Sequence, residues 1–250
     1  SMKTRARRDG DDFVITGTKH FISHADEADF VVLFAASGEE QTPRGSRALI
    51  TAFLIDRGTP GLTIDEGYQS VSHRGYQNCI LRFDECRVSK SQVLGEVHHG
   101  FDIANQWLGA TRLQVAATCL GRAERALELA TRWAAERRQF GQVIGKFQGV
   151  AFKLADMATD LEAARALLYI AAAKVTANAP DKSRFSAMAK RLSTDSGSEI
   201  VNKALQLFGG YGYLRDYPIE RFWRDLRVHS ILEGTNQVMR MIIGRDLLRQ

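Results

Sequence analysis

The hydrophobic period of the chain changes part-way along it. From Asp12 to about Val88, apolar residues come in short β-rich runs: Phe13-Val14-Ile15, Phe30-Val31-Val32-Leu33-Phe34, Ala48-Leu49-Ile50-Thr51-Ala52-Phe53-Leu54-Ile55 and Cys79-Ile80-Leu81-Arg82-Phe83. Gly10, Gly17, Gly38, Gly45, Gly58, Gly61 and Gly75 punctuate them at the short spacing of an antiparallel all-β unit. From about Phe101 the period becomes helical. Leu113, Ala116, Ala117, Leu120, Leu127 and Ala130 keep one face of a long helix, and Leu154, Met157, Ala158, Leu161, Ala164, Leu168 and Ala171 keep another. Asp181 can cap a third helix that runs to Phe208 and stops at Gly209-Gly210, and Thr235 or Asn236 can open a fourth through Leu248. The pattern predicts an α+β protein: a partial antiparallel β-barrel or sandwich domain over residues 1–98, then an antiparallel four-helix bundle over 99–250.

Composition narrows the class without changing that picture. In 250 residues, 44% apolar and 25% charged content is ordinary for a globular protein and excludes a disordered or collagen-like chain. The longest apolar run, around Ala166 to Ala173, is far short of the roughly 18 to 20 residues that a bilayer span needs, and Ser1-Met2-Lys3-Thr4-Arg5 has no apolar leader core. Three cysteines, Cys79, Cys86 and Cys119, show no CxxC or Cys/His spacing, so neither a disulfide framework nor a metal site is expected. These features lead to the expectation of a protein with no membrane partner in a reducing compartment, the bacterial cytoplasm rather than the mitochondrial matrix. The formal net charge of +5 raises the question of a polyanionic partner. Arg5, Arg7 and Arg8 are followed by Asp9, Asp11 and Asp12, and Arg221, Arg224 and Arg227 are interleaved with Glu220 and Asp225, which reads as solvated mixed faces. A phosphate-rich small ligand, a CoA ester or a dinucleotide, accounts for the excess as well as a nucleic acid does.

Four segments carry candidate chemistry. Glu233 follows the apolar pair Ile231-Leu232 and precedes Gly234, which lets backbone approach a ligand. In an apolar pocket its charged form would be disfavoured and the carboxylate made ready to take a proton from carbon; an ordinary acid at a helix start is the competing reading. Phe208-Gly209-Gly210-Tyr211-Gly212, preceded by Gln206, is either a helix stop or a phosphate turn. Glu136-Arg137-Arg138-Gln139-Phe140-Gly141 places arginine beside an aromatic ring, as a pyrophosphate and a ring system would need, or is an exposed helix end. In Lys19-His20-Phe21-Ile22-Ser23, a ring and a hydroxyl two residues apart share one side of a strand.

In this order and at these spacings the segments resemble the acyl-CoA dehydrogenase family. The resemblance covers practically the whole chain: Gly17-Thr18-Lys19-His20-Phe21-Ile22-Ser23, Phe83-Asp84-Glu85-Cys86-Arg87-Val88, Arg137-Arg138-Gln139-Phe140-Gly141, Phe147-Gln148, Leu154-Ala155-Asp156-Met157-Ala158, Gln206-Leu207-Phe208-Gly209-Gly210-Tyr211-Gly212 and Ile231-Leu232-Glu233-Gly234-Thr235-Asn236. It implies an FAD enzyme, a homo-oligomer (tetramer or dimer), that oxidises acyl-CoA thioesters to 2,3-enoyl-CoA and passes electrons to an electron-transfer flavoprotein. By the same resemblance Phe21 lies against the flavin ring and Ser23 hydrogen-bonds it. Arg137, Gln139 and Phe140 reach the FAD of a neighbouring subunit, Gln206, Gly209 and Gly210 lie along its adenosine diphosphate, and Thr235 and Gln237 bind the FAD of their own subunit. Thr111, Arg112 and Gly234 belong to the acyl-CoA site. Glu233 matches the base that removes the α-proton; some relatives carry that base one residue before the channel arginine, where this chain has Thr111.

Several positions depart from the family pattern. Leu232 stands where many members have an aromatic residue and resembles those acting on short branched acyl chains; His24-Ala25 and Gly109 replace Asn-Gly and Asp. The chain also starts after the N-terminal helical domain and the first part of the β domain of a full member, with Ser1-Met2 resembling a tag remnant before an initiator methionine. The expectation is a folded, oligomeric chain that purifies without stoichiometric FAD and turns over poorly until that part is restored. An oxidase or a monooxygenase of the same superfamily, and a nucleic-acid-binding or inactive relative of the same fold, are the competing expectations.

Overall fold

The computed structural model describes residues 2–43 and 45–248. The chain divides between Gln106 and Trp107 into two compact units. In the first, a seven-stranded sheet runs in the order β5-β6-β2-β1-β3-β4-β7. Its strands are β1 (Arg5–Asp9), β2 (Asp12–Ser23), β3 (Phe30–Thr42), β4 (Gly45–Asp56), β5 (Leu62–Asp65), β6 (Asn78–Val88) and β7 (Val93–Leu94). Neighbours pair antiparallel except β1 and β3, which meet in parallel at Arg5 and Ala36. Alternation puts Phe13, Ile15, Leu33, Ala35, Ile55, Leu81 and Phe83 into one core with Phe53, against whose ring Phe13 packs edge-on at 5.1 Å.

The β2–β6 ladder is interrupted twice, and each interruption inserts one residue. Between Ile15 and Gly17 the extra residue lies on β6, where Glu85 has φ 45°; between Lys19 and Ile22 it lies on β2, where Phe21 has φ 59°. The second bulge breaks the simple alternation expected over Lys19 to Ser23.

The second unit is helical. Helix α1 (Gly100–Glu136) leads, by way of a two-stranded hairpin, β8 (Arg138–Gln139) with β9 (Gln142–Val143), to α2 (Gln148–Thr176), α3 (Lys182–Phe208), α4 (Ile219–Arg227) and α5 (Asn236–Leu247). Helices α1, α2, α3 and α5 stand where the pattern predicts four, although Ala117 of α1 and Ala158 of α2, expected on the inward faces, are exposed; the nine-residue α4 is added between α3 and α5. On α1 the buried positions Ala116, Cys119, Leu120, Ala123, Ala126 and Ala130 recur every three to four residues, so small side chains bring helix backbones close. Met157, Leu161 and Ala164 of α2, Ile200, Val201 and Ala204 of α3, and Ile219 and Leu226 of α4 complete the core. Asp181 stands at the N-cap of α3 but does not cap it: its carboxylate takes both bonds from Lys174 Nζ, at 2.8 and 2.9 Å. That contact, with its hydrogen bonds and its charge, holds Asp181 below the usual carboxylate range.

Candidate active site

Glu233 sits in the tight connection between α4 and α5. The chain leaves α4 through a single 3₁₀ turn, Val228–Ser230, and enters α5 at Thr235, whose hydroxyl caps the helix by accepting from the Val238 N–H at 3.3 Å. In between, Glu233 and Gly234 both take left-handed backbone, φ 54° and 89°. Glycine adopts this freely and glutamate does not, so strain is concentrated at the candidate base. A Cβ on Gly234 would also lie 2.9 Å from Met239 Cε. Thr235→Ala removes the α5 cap, and we expect a loss of about 1 kcal/mol, read as a lower Tm in a thermal melt; an unchanged Tm would show that the cap contributes nothing.

The carboxylate is not surrounded by apolar side chains alone. Thr111 Oγ1 of α1 donates to Glu233 Oε2 at 2.9 Å. Beside it Arg112, 9% exposed, has its Nε buried with no hydrogen-bond partner among the described residues. Burial pulls the Arg112 guanidinium down from its ordinary pKa, and the Glu233 charge opposes that shift. A buried cation with an unused donor next to a carboxylate suits a polar group arriving from outside the chain.

A second group of candidate residues lines a cleft of about 840 Å³ in the helical unit. Arg137, Gln139, Phe140, Gln206, Gly209 and Gly210 all face it, with Trp133, Phe147 and Tyr211. The Arg137 guanidinium lies over the rings of Trp133 (5.9 Å) and Tyr211 (5.3 Å). It makes no ion pair among the described residues. Phe140 is 90% exposed and, at φ 51°, strained. Gly209 turns the chain out of α3 at φ 61°, and a Cβ on either Gly209 or Gly210 would meet nothing within 4 Å, so backbone there is open to a ligand. An unpaired guanidinium over aromatic rings, side-chain amides and bare backbone form a donor set that fits a pyrophosphate joined to flat rings.

The remaining candidates belong to neither group. In the β unit Phe21, 68% exposed, leans on Tyr68 with centroids 5.4 Å apart, and Ser23 Oγ donates to Asn78 Oδ1 at 3.3 Å. Gln237 is exposed on the first turn of α5. Lys190, which the sequence pattern did not single out, and Asn236, read there only as a possible helix start, carry weight here. Lys190 and Asn236, both buried, hydrogen-bond each other at 2.9 Å. Their signal was present: Ser186, Ala187, Lys190, Ser193, Thr194 and Gly197 follow the buried spacing of α3, so a lysine occupies a core position. Among the described residues no group of three His, Cys, Asp or Glu could hold a metal ion, and no helix is long and apolar enough to cross a membrane.

The family models for the acyl-CoA dehydrogenase middle domain and C-terminal domain match residues 1–86 and 98–248. The chain belongs to the acyl-CoA dehydrogenase family. It is 40% identical over 247 residues to the mitochondrial isobutyryl-CoA dehydrogenase of Dictyostelium discoideum, covering 99% of this chain and 58% of that protein. Butyryl-CoA dehydrogenase from Megasphaera elsdenii superposes with a TM-score of 0.92 at 38% identity, over 99% of this chain and 64% of that one. A chain solved with the electron transferring flavoprotein work on Acidaminococcus fermentans gives 0.92 at 41%, over 100% and 64%. The chain therefore spans about three fifths of the length of the relatives it matches. A curled mixed sheet followed by a helical domain is the acyl-CoA dehydrogenase fold.

Proposed function

We propose that the protein catalyses FAD-dependent α,β-dehydrogenation of a short or branched acyl-CoA, with Glu233 as the base. The observation that carries this reading is the strained Glu233 turn, whose carboxylate is fixed by Thr111 beside the buried Arg112. The similarity to isobutyryl-CoA and butyryl-CoA dehydrogenases supports the choice of short or branched acyl chains, as does Leu232 next to the base.

An α-proton beside a thioester carbonyl is weakly acidic, so its removal needs a base held against it and a polar setting for the charge that develops. Glu233 holds the transferred proton on its carboxylate. Thr111, by donating to Oε2, fixes the plane of that carboxylate and leaves Oε1 to receive the proton. Arg112, whose charge faces the carboxylate, has a spare buried Nε–H for a substrate oxygen. Arg137, Gln139, Phe140, Gln206 and the Gly209-Gly210 backbone would hold the FAD of a neighbouring subunit in the cleft they line, and Thr235 and Gln237, at the start of α5, would bind the phosphates of their own subunit's FAD. Phe21 and Ser23 of the β unit are the residues proposed for the flavin ring. FAD when bound supplies the two-electron oxidation of the β C–H bond. An electron-transfer flavoprotein is the proposed electron acceptor, and a homo-oligomer the proposed assembly.

The test adds butyryl-CoA, isobutyryl-CoA or dodecanoyl-CoA anaerobically to the FAD-loaded protein, extended by the N-terminal part that the family resemblance implies, and follows the visible flavin band. Bleaching by the short and branched substrates, with higher kcat/KM than for dodecanoyl-CoA, is expected. No bleaching by any of them would refute dehydrogenation, and a preference for dodecanoyl-CoA would refute the substrate class.

A further inference from the structure

Lys190 is wholly buried on α3, a position where an ammonium group persists only if its donors are used. Two of its three donors are used on the loop that carries Glu233: Nζ donates to the Gly234 carbonyl and to Asn236 Oδ1, each at 2.9 Å. Asn236 in turn donates through Nδ2 to Asp195 Oδ1 at 2.7 Å and to Thr194 Oγ1 at 2.9 Å, which fixes its amide orientation. Among the described residues no backbone–backbone hydrogen bond holds Glu233 or Gly234. The strained pair is therefore retained by side chains, Lys190 from within the bundle and Thr111 at the carboxylate.

We propose that Lys190 is a positioning residue for Glu233: by clamping the Gly234 carbonyl and Asn236 it keeps the left-handed Glu233–Gly234 pair in place and the carboxylate against Thr111. The proposal rests on the dehydrogenase reading for its catalytic consequence, but the clamp itself is independent of it. Cys119 and Arg112 of α1, Asp195 of α3 and Glu233 of the turn are the titratable and charged groups that act on Lys190. Burial lowers its pKa to about 8, chiefly by desolvation, so the group is an ammonium ion through neutral pH, able to give both bonds. Without it the half-buried Gly234 carbonyl would lose its partner, and glycine has the freedom to rotate that peptide toward water.

The experiment compares the parent protein with Lys190→Met, which keeps apolar length and removes every donor. Amide hydrogen exchange is read over residues 231–237 and over the rest of the bundle, with kcat and KM measured on the FAD-loaded protein carrying the N-terminal part that the family resemblance implies. We expect exchange in 231–237 to speed by about tenfold or more beyond any change in the rest of the bundle. We also expect kcat to fall about tenfold or more with KM changed less than about threefold. If Lys190→Met does not fold, Asn236→Ala removes one of the two acceptors and is expected to give the same segment-specific exchange. A folded variant whose exchange rises no more in 231–237 than elsewhere, or whose kcat stays within about twofold of the parent, overturns the proposal. Should Glu233→Gln prove fully active while Lys190→Met still loosens 231–237, the clamp stands and the assignment of the base falls.

Discussion

Glu233→Gln is expected to lower kcat by about 10²- to 10⁴-fold, the usual worth of a general base, while acyl-CoA binding changes little. The two side chains have nearly the same shape, and the carbonyl oxygen of the substituted amide can still accept from Thr111. What is lost is the oxygen that takes the proton, together with the charge that faces Arg112. Steady-state kinetics with a short acyl-CoA on an FAD-loaded full-length version carrying this segment, and a separate binding measurement, divide the two effects. A variant that keeps more than about a tenth of the parent kcat would remove Glu233 from the role of base.

Arg137→Met is expected to weaken FAD binding by about ten- to a hundredfold. Methionine keeps an unbranched apolar chain in place of the stem and removes the guanidinium that lies over Trp133 and Tyr211, so the loss is mostly that of charge and N–H donors. Hydrogen bonds to charged groups contribute about 1.5 to 3 kcal/mol, and each 1.4 kcal/mol is tenfold in affinity. Arg138→Met is the companion control: that guanidinium is exposed and donates to the Gly141 carbonyl at 3.3 Å. Fluorescence titration of flavin-free protein with FAD gives both affinities. Equal effects from the two substitutions would show that Arg137 contributes only general positive charge.

The elements of this protein were legible because their signals are local. A period of two before Val88 and of 3.6 after Phe101 separates strands from helices, since each follows from backbone geometry within a few residues. Thr235 and Gly209 mark helix ends for the same reason: a cap or a left-handed turn is made by the residue itself and its immediate neighbours. The order and spacing of the motifs placed the chain in its family, and the candidate residues Arg137, Gln139, Phe140, Gln206, Gly209 and Gly210 do line one cavity. Other features were settled only by the tertiary structure. The partner of Glu233 is Thr111, 122 residues away in the chain, and the clamp on Gly234 comes from Lys190, 44 residues away. Lys190 falls on the buried spacing of α3, but lysine reads as a surface residue until packing buries it, and the bulge that gives Phe21 its left-handed backbone arises from the register between β2 and β6. Hydrophobic pattern specifies which face of an element turns inward, but which polar atoms then meet depends on how two elements rotate and slide against one another, and that is fixed by the packing of the whole core.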